Sequence, residues 1–271
     1  MREERQATVR IGAKDYLIVS DDDYLAYVAN GFEPDTVRLL SSLLRPGDTV
    51  LDIGANIGCT ALLFGETAAT VHAFEPSPTT CAYLTRNVAQ ARLGNVQVHN
   101  FGLGSQAGET SLTFSPNNRS GGFVSDRTRA GADHTTETIR IRTLDEAAPA
   151  LGIDRIDLIK IDVEGFEGHV LRGGAKTLAH HRPVVTAELN HWCLNAFQRT
   201  SVPDFFDQLR ATFPLLLAVD GATYLDLNNE GERYTVMYHH ILHMRFPNLV
   251  GAFEEGQIAP LRAMLTHGFA G

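Results

Sequence analysis

Short apolar runs alternate along this chain with segments of helical period. Val50-Leu51-Asp52-Ile53, Thr70 to Phe74, Val96-Gln97-Val98-His99, Ile156 to Ile161 and Pro183 to Leu189 read as five buried strands. The segments around Thr60–Phe64, from Pro76-Ser77-Pro78 to about Ala91, and from about Gly165 to Ala179 read as the helices between them. Strands that alternate with helices predict a mostly parallel sheet with helices on both faces. Before the first strand, residues 7 to 19 alternate around Gly12-Ala13-Lys14-Asp15 and predict a hairpin. A helix is predicted from Pro34 to Leu44, and Arg45-Pro46-Gly47-Asp48 stops it. After the fifth strand come a helix near Pro203 to Ala211, a strand at Leu215 to Val219, and β-like runs at Thr223–Leu227 and Tyr234–Tyr238.

From Gly108 to about Arg142 the pattern changes to strands separated by polar loops. It predicts a β-hairpin insertion with a mobile tip near Asn117 to Gly122, either a lid or a solvated hairpin. Neither a repeat nor a linker divides the chain, so a single domain over 1–271 is expected. Its parts are an N-terminal hairpin and helix (1–45), a core (46–240) carrying the insertion (108–142), and a C-terminal extension (241–271).

Composition narrows the function classes. With 271 residues, 44% apolar and 20% charged, the chain has the makeup of an ordinary globule. A formal charge of −9 without a basic block argues against nucleic-acid backbone as a partner. Three scattered cysteines (Cys59, Cys81, Cys193) suit reduced thiols, the N-terminus lacks the apolar core of a signal peptide, and no run approaches membrane-spanning length. The expected setting is the cytoplasm, without a membrane partner. Oligomeric state is left open, a homodimer included.

The chemistry concentrates where the first strand ends. Gly54 and Gly58 punctuate a turn between that strand and a helix, which is how backbone is brought against a nucleotide-type cofactor. Glu75 closes the second strand about twenty residues later, placed to accept from both hydroxyls of a ribose. An NAD fingerprint wants G-x-G-x-x-G. Here the turn reads Asp52-x-Gly54-x-Asn56-x-Gly58, a spacing that resembles the loop of class I methyltransferases using S-adenosylmethionine.

Further stretches extend that likeness: Pro46 to Gly58, Phe74-Glu75-Pro76, Arg142 to Glu146, Leu158 to Glu167, Val170 to Ala175, and Glu188. Over roughly residues 30 to 190 the chain resembles the FkbM family of methyltransferases. The resemblance implies a Rossmann-like α/β fold with a seven-stranded, mostly parallel sheet and an antiparallel edge strand. It also implies S-adenosylmethionine as methyl donor and transfer most often to an oxygen of a sugar or secondary metabolite; nitrogen acceptors also occur. Asp52 is then expected at the methionine ammonium, directly or through water, with a brace for the turn as its alternative reading; Gly54, Ala55, Asn56 and Gly58 are expected along methionine and ribose, and Glu75 with Pro76 at the ribose. Asn100, Gly102 and Leu103 fall where the adenine is held, and Glu33 at the methionine end, with a helix-start charge as its alternative reading.

Asp162 and Glu164 end the fourth strand where the reactive methyl is expected, one orienting the cofactor and one taking the acceptor's proton. Glu188, Asn190 and His191 follow the fifth strand. His191 is the preferred general base, because imidazole accepts a proton near neutral pH. Carboxylates here also suit Mg2+, yet nothing in the sequence demands a metal and none is assigned. The expected reaction is an in-line displacement on a small-molecule acceptor such as a sugar or glycoside hydroxyl. The alternatives are N-methylation and a catalytically silent cofactor-binding subunit.

Overall fold

The computed structural model describes residues 3–125, 128 and 131–269; residues 1, 2, 126, 127, 129, 130, 270 and 271 lie outside it, and with them parts of the N-terminal and insertion expectations. The chain opens with a hairpin, β1 (Arg5–Ile11) and β2 (Lys14–Ser20), then helices α1 (Tyr24–Val28) and α2 (Pro34–Leu43). Next come β3 (Thr49–Ile53), α3 (Cys59–Gly65), β4 (Thr70–Phe74), α4 (Pro78–Ala91) and β5 (Val96–His99). A second sheet follows: β6 (Gly102–Leu103), β7 (Gly108–Ser115), β8 (Asn118–Val124) and β9 (Thr135–Arg142). The chain returns through α5 (Leu144–Ala150), β10 (Leu158–Ile161), α6 (Glu167–Gly173), α7 (Ala175–His181) and β11 (Val184–Glu188). It closes with α8 (His191–Gln198), α9 (Val202–Thr212), β12 (Leu215–Asp220), β13 (Thr223–Asp226), α10 (Glu230–His243), β14 (Asn248–Ala252), α11 (Glu255–Met264) and β15 (Thr266–His267).

Successive residues of a strand face opposite sides, and here they feed two separate cores. Val50, Val71, Leu158 and Leu217 pack with Leu39, Leu40, Leu62, Leu84 and Ile258, so α2, α3, α4 and α11 cover one face. Leu51, Ile53, Ile159, Ile161 and Leu216 pack with Leu144, Leu178, Phe205, Phe206 and Val236, which places α5, α7, α9 and α10 on the other. Helix α9 shows the logic locally. Ser201 and Asp204 form a reciprocal cap, Val202, Phe205, Phe206 and Leu209 are buried, and truncating either phenylalanine to alanine is worth roughly 3–5 kcal/mol.

Among the described residues the main sheet has nine strands in the order β15-β13-β12-β14-β11-β10-β3-β4-β5. The parallel centre is as expected, with β5, β4, β3, β10 and β11 in register. The seven-strand count is corrected, while the antiparallel edge is as expected, with β13 antiparallel to β12 on that side of the sheet. The reversed strand β14 lies inside the sheet, antiparallel to both β11 and β12, and comes from the segment expected to be an extension. A short strand covered on both faces carries no alternation to mark it. Tyr234–Tyr238 belongs to α10, where Asn229 caps the first turn and Val236 and His240, four residues apart, are buried. The helix expected over 165–179 is two helices that meet at Gly174.

The insertion is a four-stranded sheet, order β6-β9-β7-β8, and its tip is tied down. Arg119 donates from Nε and Nη2 to the two carboxylate oxygens of Asp21 at 2.8 and 2.9 Å, and its backbone N–H donates to Asp22 at 2.8 Å. Asp23 N–H donates to Asn117 O at 2.9 Å. The acidic turn 21–23 therefore latches the segment read as mobile. Strand order runs outward from β3 to β5 and then restarts at β10, so a topological switch point lies between β3 and β10. No helix among the described residues is long and apolar enough to cross a membrane.

Candidate functional site

At this switch point two clefts open side by side. Gly54, Asn56, Ser120, Asp162 and Glu164 line both, so the two are halves of one groove. The first half is mainly apolar, walled by Phe74, Leu103, Ile141, Val163 and Phe166, with Glu75 and Pro76 at its side. The second is polar, and Tyr24, Glu33, Lys160 and Glu188 line it.

Glu75 reaches this groove from the end of β4 and is 7% exposed. Asn56 N–H donates to its Oε2 at 3.0 Å and Ser77 N–H to its Oε1 at 2.9 Å, so each oxygen is aimed by one backbone donor. Burial pushes its carboxyl up to about 7, against the pull of those two donors. Asn56 makes its bond from a left-handed backbone with φ of 49°. Side-chain amides tolerate that region better than other side chains, which explains asparagine here.

The turn glycines serve packing. A Cβ on Gly54 (φ 81°) would fall 1.8 Å from the carbonyl oxygen of Asp162, and one on Gly58 (φ 104°) 2.8 Å from Leu84. Gly54 thus lets the loop after β3 touch the loop after β10, while Gly58 seats α3 on α4 and lines neither cleft.

Beneath the turn sits a buried ion cluster. Lys160 Nζ donates to Gly54 O at 3.1 Å and lies 3.2 Å from Asp162 Oδ2 and 3.6 Å from Asp52 Oδ1. Burial opposes its charge, but Asp162 and Asp52 outweigh burial and hold it above the ordinary lysine range. Asp52 is fully buried, accepts from Thr60 Oγ1 at 2.7 Å, and lines neither cleft. This placement fits the alternative reading, a brace under the turn, and gives the side chain no direct access to the groove. Asp162, with 43% of its side chain exposed, is the member that faces the groove.

The loop after β10 carries the second acidic group. Glu167 accepts from Val163 N–H and Gly165 N–H at 3.0 and 3.3 Å and shapes the loop. Glu164 holds a left-handed φ of 52°, and the Cys193 thiol donates to it at 3.1 Å. Burial, then repulsion from Asp162, raises Glu164 to about 7. Glu188, at the end of β11, is held well above the usual carboxylate range by burial and by the charges of Asp162, Glu164 and Glu167.

The groove gathers Glu33, Gly54, Ala55, Asn56, Glu75, Pro76, Gly102, Leu103, Asp162, Glu164 and Glu188 from the expected set. Four of the expected residues line neither cleft: Asp52 and Gly58, described above, and His191 and Asn100. His191 lines neither cleft: its N–H donates to His240 Nε2 at 3.2 Å, and the two rings meet edge-on with centroids 5.2 Å apart. His240 bonds Arg245 O through Nδ1, so the pair belongs to the packing of α8 on α10. Asn190 caps α8 through Cys193 N–H at 3.2 Å. Asn100 donates to Glu75 O and Pro76 O at 3.0 and 3.2 Å and pins that backbone, with no place in the cleft lining. Lys160, Tyr24, Ser120 and Phe166 were missed. A lysine inside an apolar strand was the available signal for Lys160; the other three have no local pattern.

Residues 52–224 match the methyltransferase FkbM domain. The chain is 34% identical over 146 residues to hexuronic acid methyltransferase AglP of Haloferax volcanii, covering 54% of this chain and 58% of that protein. It is 33% identical over 158 residues to 31-O-demethyl-FK506 methyltransferase FkbM of Streptomyces tacrolimicus, covering 48% and 60%. To 2-O-methyltransferase NoeI of Sinorhizobium fredii it is 28% identical over 195 residues, covering 64% and 79%. The match thus spans less than two thirds of the first two of these relatives. With the domain match covering well over half its length, this chain belongs to the FkbM methyltransferase family.

Proposed function

We propose that this chain transfers a methyl group from S-adenosylmethionine to a hydroxyl oxygen of a sugar or sugar-like metabolite. Family membership carries the reaction class and the donor. The observation that carries the site is Glu75: a buried carboxylate with each oxygen oriented by a backbone N–H, on the wall of a mainly apolar cleft. Two hydroxyls of a ribose are the ligand that matches such a pair of oriented acceptors. The apolar half beyond it, between Leu103 and Phe166, suits a purine ring. The polar half, with Glu33 for an ammonium, suits the amino-acid end.

When bound, the donor supplies an activated sulfonium methyl, so no covalent intermediate on the protein is needed. The protein's own tasks are to align the acceptor, exclude water and take one proton. Glu164 and Glu188 border the shared wall of the groove and are the groups placed to receive it, in preference to His191. The sugar-like acceptor is drawn from the relatives, which are described as acting on a hexuronic acid and on demethyl-FK506. N-methylation stands as a second reading because Glu33, Asp162, Glu164 and Glu188 line the polar half, where they would attract an ammonium that one of the carboxylates must deprotonate before its nitrogen can attack.

Calorimetric titration with S-adenosylhomocysteine and with NAD tests the cofactor half. Methyl transfer to a panel of uronic acids, neutral glycosides and amines tests the acceptor half. Binding of NAD without S-adenosylhomocysteine overturns the proposal, and turnover on amines alone replaces oxygen by nitrogen.

A further inference from the structure

Asp162, Glu164 and Glu188 each bring a carboxylate oxygen to one place, all within 4.8 Å of one another, at the polar half of the groove. Two of the three are otherwise engaged on one side only: Asp162 meets Lys160 through Oδ2, and Glu164 accepts the Cys193 thiol through Oε2. Glu188 differs. Its Oε2 is buried and has no hydrogen-bond partner, although the side chain lines the cleft. A buried carboxylate oxygen without a donor is costly unless something else occupies its lone pairs. Lys160 is the only cation among the residues lining this half, and its ammonium is shared between Asp162, Asp52 and Gly54 O. It leaves the Glu164–Glu188 side uncompensated.

We propose that these three carboxylates bind one divalent cation of the magnesium, manganese or calcium class, and that this ion receives the methyl acceptor's oxygens. The donor set is entirely carboxylate oxygen, the preference of hard cations. Metal–oxygen distances of about 2.1 Å for Mg2+ and about 2.4 Å for Ca2+ put ligand oxygens roughly 3 to 5 Å apart, the range found here. Three protein ligands leave positions for two oxygens of a vicinal diol or hydroxy acid and for water. When bound, the ion would make the hydroxyl more acidic, so that Glu164 or Glu188, through the carboxylate oxygen not on the ion, would suffice to take its proton as the methyl passes to oxygen. The proposal rests on the function given above, since it assigns the acceptor's place in the same groove.

Mn2+ is the probe. The full chain, stripped with chelator, is titrated with Mn2+ while electron paramagnetic resonance follows the free ion; Mg2+ and Ca2+ are then added as competitors. One site per chain is expected, with Kd below roughly 1 mM, displaced by the competitors. Glu188→Gln, checked for an unchanged melting profile, is expected to weaken it by about tenfold or more. Absence of a stoichiometric site in the wild type overturns the proposal, as does equal Mn2+ affinity in folded Glu188→Gln. Should that variant not fold, the wild-type stoichiometry and competition decide alone. S-adenosylhomocysteine titration of the metal-free chain separates the two ideas: binding there without any Mn2+ site removes the ion and leaves the methyltransferase reading in place.

Discussion

Replacing Glu75 by glutamine tests the proposed ribose contact with little change in volume. In the native chain each carboxylate oxygen already accepts one backbone N–H, from Asn56 and from Ser77, and retains a lone pair for the ligand. Glutamine keeps one such oxygen and turns an NH2 group toward the other backbone donor. One ligand bond to a charged acceptor is lost, worth about 1.5–3 kcal/mol, while the backbone N–H that is stranded weakens the fold equally with and without ligand. Affinity for S-adenosylhomocysteine is expected to fall roughly tenfold to 150-fold at pH 8. The pH dependence gives a second reading. The free carboxyl is pushed up to about 7, and hydroxyl donors favour its ionised form. Binding below that pH therefore requires release of a proton, so affinity is highest above pH 7 and weakens as pH falls. At pH 5.5 the loss approaches a factor of roughly thirty. Calorimetry from pH 5.5 to 8 on wild type, Glu75→Gln and Glu164→Gln measures this. Glu164→Gln controls for the other cleft carboxyl that titrates near 7 and should keep the slope. A flat wild-type profile, or a folded Glu75→Gln protein that binds within twofold of wild type, refutes the reasoning.

Gly54→Ala introduces a Cβ 1.8 Å from a backbone oxygen that has no rotamer to escape by, and is expected to cost about 3 kcal/mol or more, or to prevent folding; a melting curve like that of wild type would show that the two loops do not touch. Lys160→Met leaves Asp52 buried without its counter-charge, and urea unfolding should show a loss of about 3–5 kcal/mol; a loss below 1 kcal/mol contradicts the ion cluster described above. His191→Ala is expected to keep turnover within a few-fold, whereas Glu188→Gln lowers kcat by about a hundredfold, the usual scale for a displaced proton acceptor or ligand. Single-turnover kinetics on a working acceptor distinguish the two, and the reverse order would return His191 to the reaction.

Much of this molecule was legible along the chain, for a reason that can be stated residue by residue. Val50 to Ile53 and Leu158 to Ile161 are apolar because both sheet faces are covered, and that burial writes itself into local composition. Gly54, Asn56 and Glu75 were readable because the backbone of a βα turn admits few residue types, and because strand length sets where the next acid falls. What could not be read required contacts between distant segments. β14 enters the sheet only because β11 and β12 leave a gap that a short, two-sided strand fills. Asp52 and Asp162 look alike as acids flanking strands, yet folding buries one under Thr60 and Lys160 and turns the other to the groove. His191 follows a catalytic-looking strand end, and α10, about fifty positions on, offers His240 to its backbone. The tie between Arg119 and Asp21 likewise depends on how the insertion lies across the N-terminal hairpin. Backbone stereochemistry and burial act over a few residues and so leave a trace in order and spacing. Which carboxylate is paired, capped or left facing solvent is settled only when remote segments meet, since desolvation and Coulomb energy depend on distance in space.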